Sequence, residues 1–138
     1  RRGCREAARL DLTMEPSDPI AFEKRAAWLA WLEQHGSEAE EVWVKLAKKT
    51  SGHASVTYAE AVEGALCHGW IDGQAKGLDE HWHLQRFTPR RGRSNWSRLN
   101  RERAEALIAS GEMRPAGLRE VERARADGRW DAAYAADA

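Results

Sequence analysis

The residues best suited to chemistry are concentrated in an arginine-rich segment, residues 86–103. The segment contains seven arginines and one acid, Glu102, which gives it a local net charge of +6. The whole chain of 138 residues has 22 basic and 22 acidic side chains, and its formal net charge is zero. No overall field therefore attracts nucleic acid or an anionic membrane, so any electrostatic function must be local.

Part of this segment has the residue types of an anion site. The pair Arg90-Arg91 precedes Ser94 and Asn95, where we expect a helix to begin. Unpaired amides at a helix N-terminus favour an anion, and guanidinium groups add planar donors that suit phosphate or carboxylate. Thr88, Ser94 and Asn95 supply neutral donors. The alternative is a solvated basic loop whose arginines pair with acidic helices.

Three tryptophans, Trp70, Trp82 and Trp96, lie near these arginines in the sequence. Aromatic and basic side chains together can form a platform for single-stranded nucleic acid. Seven tryptophans in 138 residues are explained more simply as fillers of the core. Nucleic acid is therefore a less favoured partner than a small ligand.

A metal site is the next possibility. His81 and His83 lie on one face of a predicted strand, and His68 could join them. No carboxylate or thiol stands at a recognisable ligand spacing, and exposed histidines are common on strands. We therefore predict neither a metal site nor a cofactor.

Candidates for catalysis are few. Asp72 could act as a general acid or base with Tyr58 or Lys48 as its partner, although an aspartate before glycine is also ordinary turn chemistry. Glu60 belongs to a predicted capping box, and Cys67 is expected to be an inert buried thiol. The sequence has no nucleophile elbow, phosphate-binding glycine loop or dinucleotide fingerprint, so binding is favoured over catalysis.

Local signals predict the elements that position these residues. An aspartate-proline start predicts a helix over about 19–35, and alternating apolar residues predict a strand over 42–47. Residues 38–48 could instead continue as helix. A capping box formed by Thr57 and Glu60 opens a helix over 58–68.

The second half of the chain adds a hairpin and two helices. Strands are expected around 70–73 and 81–88, followed by a helix capped by Ser94 or Asn95 and another opened by Pro115. The predicted fold is a single compact α+β domain. Its small antiparallel sheet of about three strands is covered by four helices.

Residues 1–13 precede the first methionine, and we interpret them as an N-terminal extension of a single domain over 14–138. Cys4 and Cys67 are too few for a disulfide framework or a four-thiolate zinc site. No apolar run reaches the roughly 18 to 20 residues that span a bilayer, and no signal-peptide core is present. We therefore expect a cytoplasmic protein without membrane insertion.

Several motifs follow one another between about residues 20 and 134. They include Glu41-Val42-Trp43, Val56-Thr57-Tyr58, His68-Gly69-Trp70-Ile71-Asp72-Gly73, Arg86-Phe87-Thr88-Pro89-Arg90 and Gly128-Arg129-Trp130. In type and order these motifs resemble the bacterial YdeI/OmpD-associated proteins, a group also labelled bacteriocin-protection. The resemblance implies a compact cytoplasmic α+β domain and a link to stress or bacteriocin tolerance, without implying a chemistry.

The same resemblance extends the candidate site. The positions that match the family's motif are Trp70, Asp72, Arg86, Thr88, Pro89, Arg90, Ser94, Trp96 and Asn100, whereas His68 stands where an aromatic residue is often expected. We favour a module that binds a small anionic ligand through residues 88–100 together with Trp70 and Asp72. The alternatives are an interaction protein that binds a protein or nucleic acid through the basic face of residues 86–103, and an enzyme that uses Asp72.

Overall fold

The computed structural model describes residues 18–133 of the chain. In chain order the elements are β1 (Ile20–Ala21), α1 (Arg25–His35), β2 (Val42–Ala47), a short 3-10 turn (Lys49–Ser51), α2 (Tyr58–Cys67), β3 (Trp70–Gly77), β4 (Trp82–Pro89), α3 (Arg98–Ser110) and α4 (Pro115–Ala126). The predicted α+β class, the strand over 42–47 and the capping box before α2 are confirmed. The proposed extension over residues 1–13 lies outside the described residues.

The sheet has four strands in the order β1-β2-β4-β3, one more than expected. It is mixed, because β1 runs parallel to β2 while the other pairs are antiparallel. The extra strand comes from residues assigned to the first helix, which begins at Arg25 rather than near residue 19. Ile20 pairs with Val44 in the sheet, and the carbonyl of buried Phe22 accepts from the Val56 amide at 3.0 Å. These tertiary contacts keep the chain extended despite its helix-start signal.

The β3–β4 hairpin is longer than predicted. It runs from Trp70 opposite Pro89 to Gly77 opposite His83, with a bulge in β3 after Asp72. The side-chain amide of Gln85 donates to two β3 carbonyls at the bulge, at 2.9 and 3.1 Å. These hydrogen bonds hold the second half of β3, which is rich in glycine and polar residues, against β4.

The core lies between the sheet and the helices. Trp28 of α1 is fully buried, contacts Phe87 of β4 with ring centroids 5.3 Å apart, and donates its indole N–H to the Ala61 carbonyl of α2. Trp70 is also buried and donates to the Gly36 carbonyl at 3.1 Å. Five of the seven tryptophans are buried: Trp28, Trp43, Trp70, Trp96 and Trp130. Most of the tryptophans are therefore fillers of the interior.

The start of α3 corrects the sequence prediction. Ser97, and neither Ser94 nor Asn95, is the N-cap, and its hydroxyl accepts from the Asn100 amide at 3.0 Å. The reason is the burial of Trp96, whose ring packs edge-on against Trp130 with centroids 5.0 Å apart. The chain stays non-helical until this indole has been placed in the interior.

The start of α4 is pressed against the end of α2. The Arg114 amide donates to the Cys67 carbonyl at 3.1 Å. A Cβ atom on Gly117 would lie 2.5 Å from the carbonyl oxygens of Leu66 and Cys67, so only glycine fits there. This close approach fixes where the first turn of α4 stands relative to the α2–β3 junction.

Candidate functional site

A surface cleft of about 510 Å³ opens where four parts of the fold meet. The end of α1 contributes Glu33, and the α2–β3 junction contributes His68. Arg90 follows β4, and the start of α4 contributes Arg114, Arg119 and Glu120. The walls therefore carry three guanidinium groups and two carboxylates. A volume of this size is in the range of small-molecule sites.

The first turn of α4 forms one wall of the cleft through Pro115 and Ala116. Arg114 occupies the N-cap, and no side chain among residues 18–133 caps this helix end. The amides of Ala116 and Gly117 have no partner within the helix, because the first turn of any α-helix leaves its N–H groups unbonded internally. The positive end of the α4 dipole therefore lies beside the cleft, while the Arg114 amide itself is hydrogen-bonded to the Cys67 carbonyl.

Glu33 lies between two cationic or potentially cationic side chains of the cleft. Its Oε1 is 3.8 Å from His68 Nε2 and 3.5 Å from the Arg114 guanidinium. Burial lowers the pKa of His68 below its ordinary value, and Arg114 adds to this, while the nearby Glu33 carboxylate opposes it. The neutral imidazole is thereby favoured. The His68 side chain is only 10% exposed, whereas that of Glu33 is 61% exposed.

Arg90 both lines the cleft and holds the loop that follows β4. Its guanidinium lies 4.0 Å above the Trp96 ring and donates to the Asn95 carbonyl at 2.9 Å. Its amide donates to the Gly69 carbonyl at 2.8 Å. With 7% exposure Arg90 is a buried charged residue, positioned by contacts on several sides.

Two of the ten ligand-binding residues predicted from the sequence, Trp70 and Arg90, lie on the cleft. Pro89, which also matched the family's motif, lines it as well. Sequence reasoning missed Glu33 and Arg114 as site residues. The signal that could have found Arg114 was Pro115, which marks the start of a helix directly after it.

Most of the other predicted ligand residues point elsewhere. Arg86 forms an ion pair with Glu41, whose Oε1 is 2.6 Å from its Nε. Thr88 stays within β4, opposite Ile71 of β3. The Ser94 hydroxyl donates to the Arg91 carbonyl at 3.1 Å, within the loop itself.

Two more predicted residues, Arg91 and Asn95, have exposed side chains on that loop. Trp96 is buried in the interior. Asn100 accepts a hydrogen bond on Oδ1 from Arg103 at 2.8 Å, one turn along α3. The predicted set is therefore divided between the cleft, strands β3 and β4, the loop after β4, the interior and α3.

The candidate catalytic residues are only partly brought together. The Tyr58 hydroxyl donates to Oδ2 of Asp72 at 2.5 Å, which joins the start of α2 to β3. Burial, together with this hydrogen bond, raises the pKa of Tyr58 to about 12. Lys48 is remote from the pair and donates to the Asp79 carbonyl at the tip of the hairpin.

The histidines do not assemble a metal site. His68 precedes β3, while His81 and His83 lie at the opposite end of the hairpin. No group of three or more possible metal ligands occurs among the residues described. In the same stretch of chain, no helix is long and apolar enough to cross a membrane.

Comparison with known proteins gives one similarity. A family model described as a domain of unknown function (DUF8412) matches residues 20–120, which include every strand and helix up to the middle of α4. No curated protein and no solved structure matches the chain.

Proposed function

Because the chain belongs to the DUF8412 family, a domain of unknown function, its activity has to be inferred from its own residues, and we propose that it binds a small anionic ligand in the cytoplasm. The ligand carries a phosphate or carboxylate group. The observation that carries the proposal is the meeting of Arg90, Arg114 and Arg119 with the uncapped start of α4 on one cleft.

The chemistry of the cleft supports an anion over a neutral ligand. Guanidinium groups present planar, paired donors that match the geometry of phosphate and carboxylate. Arg90 is mostly shielded from solvent, so salt screens its attraction for an anion less than that of a fully exposed arginine. Glu33 and Glu120 offset part of the positive charge, and Glu120 also provides an acceptor for hydroxyl or amino groups of the same ligand.

The arginine-rich turn remains the expected place of the anion, but the helix beside it is α4 rather than α3. Ser97 already satisfies an amide at the start of α3. Arg90 instead shares a cleft with the first turn of α4. The anion is therefore expected between the turn after β4 and α4.

The test is a thermal-shift titration with sulfate, inorganic phosphate and citrate at constant ionic strength. Ligand at tenfold its Kd stabilises the folded state by about 1.4 kcal/mol, which raises the Tm by about 4 °C for a domain of this size. We expect such a rise for the wild-type protein and its loss in Arg114→Ala/Arg119→Ala.

The matched control removes the same charge from exposed arginines outside the cleft, in Arg93→Ala/Arg98→Ala. This variant should keep the ligand-dependent rise. Absence of a rise in the wild-type protein, or an equal loss in the control, would refute the proposal.

The resemblance to the YdeI/OmpD-associated proteins stays a prediction. From it we keep the proposal of a role in stress or bacteriocin tolerance, supported by the ordered motifs in the sequence. Survival of bacteriocin-treated cells should be higher with the wild-type chain than with Arg114→Ala/Arg119→Ala, if ligand binding underlies that role. Equal survival with the two chains would show that ligand binding in the cleft does not underlie that role.

A further inference from the structure

We propose that Glu33 is a built-in competitor of the cleft's anionic ligand, holding the position between His68 and Arg114 that the ligand's oxyanion takes on binding. The inference rests on the proposed function. It adds a residue that opposes binding, and a dependence of affinity on pH.

The contacts of Glu33 show that an oxyanion fits at this position. Its Oε1 is within 3.8 Å of His68 Nε2 and 3.5 Å of the Arg114 guanidinium. Both distances exceed those of good hydrogen bonds, and the Glu33 side chain is 61% exposed. Such a loose, exposed ion pair contributes little stability, so a ligand can displace the carboxylate at low cost.

A second, smaller cleft lies beside Glu33 and provides space for the displaced carboxylate. Glu33 lies at the boundary between the cleft and a smaller adjoining one of about 350 Å³, which it also lines together with His68 and Arg114. Arg25 also lines this smaller cleft. A rotation of Glu33 about its side-chain bonds moves the carboxylate towards this second space, without any movement of α1.

Binding should also take up a proton at His68. The free protein favours the neutral imidazole, because the side chain is largely buried. A ligand dianion in place of the single Glu33 charge stabilises the imidazolium more strongly, so the pKa of His68 is higher in the complex than in the free protein. Affinity must then rise as the pH falls.

Charged groups from several elements line the two clefts that contain His68, and two of them, Glu33 and Arg114, act on its pKa. The lining groups are Glu33 from α1, Arg114, Arg119 and Glu120 from the start of α4, Arg90 after β4, and Arg25, Cys67 and Glu112 on the adjoining cleft. Arginines keep their charge throughout, and Cys67 has its pKa raised by burial to about 11. Glu112 has its pKa lowered by its hydrogen bond from Arg25. Between about pH 6 and 8, a proton taken up on binding therefore belongs to His68.

The experiment is calorimetric titration with sulfate, which stays fully ionised over this pH range. Each measurement is repeated in two buffers of different ionisation enthalpy, which gives the number of protons taken up. Glu33→Gln should bind sulfate about fivefold more tightly than the wild-type protein, since an exposed charge is removed from beside the anion. His68→Gln should bind with no proton uptake and a flat pH profile.

The matched control is Glu40→Gln, which removes the same charge at an exposed position that lines neither cleft. Its affinity should equal that of the wild type. If the wild type binds sulfate in the cleft but Glu33→Gln is no tighter, or proton uptake persists in His68→Gln, the role of Glu33 and His68 is wrong while the proposed function stands. If neither protein binds sulfate, both proposals fail.

Discussion

Tyr58 and Asp72 show at the scale of single residues how a candidate catalytic pair can act as a structural tether. The phenol donates to the carboxylate across the α2–β3 boundary, and burial holds its pKa near 12. A phenol with so high a pKa is a hydrogen-bond donor at neutral pH and a poor nucleophile or base. The pair lies outside the residues that line the cleft. Catalysis by Asp72 stays a prediction.

Replacement of Tyr58 by phenylalanine tests the tether. At about pH 8 we expect the free energy of unfolding to fall by about 0.5 kcal/mol, the lower end for one hydrogen bond, because Tyr58 is 43% exposed. Since the folded pKa lies near 12 and the ordinary value is 10.0, the contribution is complete below pH 10 and is lost as the pH rises towards 12. The difference between wild type and Tyr58→Phe in urea unfolding should therefore shrink at about pH 11.

A double-mutant comparison provides the control. In an Asp72→Ala background the carboxylate is gone, so Tyr58→Phe should cost less than it does in the wild-type protein. Equal costs in both backgrounds would show that the phenol stabilises the fold by packing alone.

At the scale of elements, the sequence correctly predicted the helix ends that are determined by neighbouring residues. The capping box of Thr57 and Glu60, with bonds of 3.0 and 3.1 Å, marks the start of α2 correctly. Gly111 ends α3 with a φ of +83°, as its position after the periodic residues indicated. Both signals act within one turn of helix, so no distant contact has to be known.

The boundaries that were wrong depend on contacts between distant residues. Ile20 is in a strand because it pairs with Val44, and α3 starts late because Trp96 packs on Trp130. The sequence prediction of the site missed two residues of the cleft for the same reason. Glu33 and Arg114 are separated by most of the chain, and nothing local indicates that they meet at one cleft.

Gly117→Ala tests the contact that places α4. In an ordinary helix interior this change would stabilise the fold by about 1 kcal/mol. Here the new Cβ would lie 2.5 Å from two carbonyl oxygens of α2, and we expect a loss of about 1–3 kcal/mol in chemical unfolding. The sulfate-dependent rise in Tm should also shrink, because the displaced helix carries one wall of the cleft.

The same substitution at Gly77 is the control. A Cβ there has no neighbour within 4 Å, so Gly77→Ala should leave stability nearly unchanged. A Gly117→Ala variant as stable as the wild type would show that α2 and α4 can separate without cost.

At the scale of the molecule, the arginine-rich segment is largely used to hold the fold together. Arg90 covers Trp96, and Arg101 donates to the Trp130 carbonyl at 2.9 Å while pairing with Glu105 at 3.3 Å. Outside the segment, the guanidinium of Arg129 donates to the Ser94 carbonyl. These contacts fasten the turn after α4 to the loop after β4. A segment with a net charge of +6 therefore presents only part of that charge to a partner.

This distribution predicts how the protein responds to nucleic acid, the partner of one alternative function. Only Arg91, Arg93 and Arg98 of the segment are exposed, whereas its other arginines have contacts within the fold. If these three arginines neutralise three phosphates of a single strand, a plot of the logarithm of the affinity against the logarithm of the salt concentration should have a slope of about −2. Fluorescence anisotropy with a labelled oligonucleotide measures this slope, and Arg93→Ala/Arg98→Ala should bring it to about −1. A wild-type slope near −5 would mean that all seven arginines reach the phosphates, and the basic face would then be a binding surface rather than a set of internal contacts.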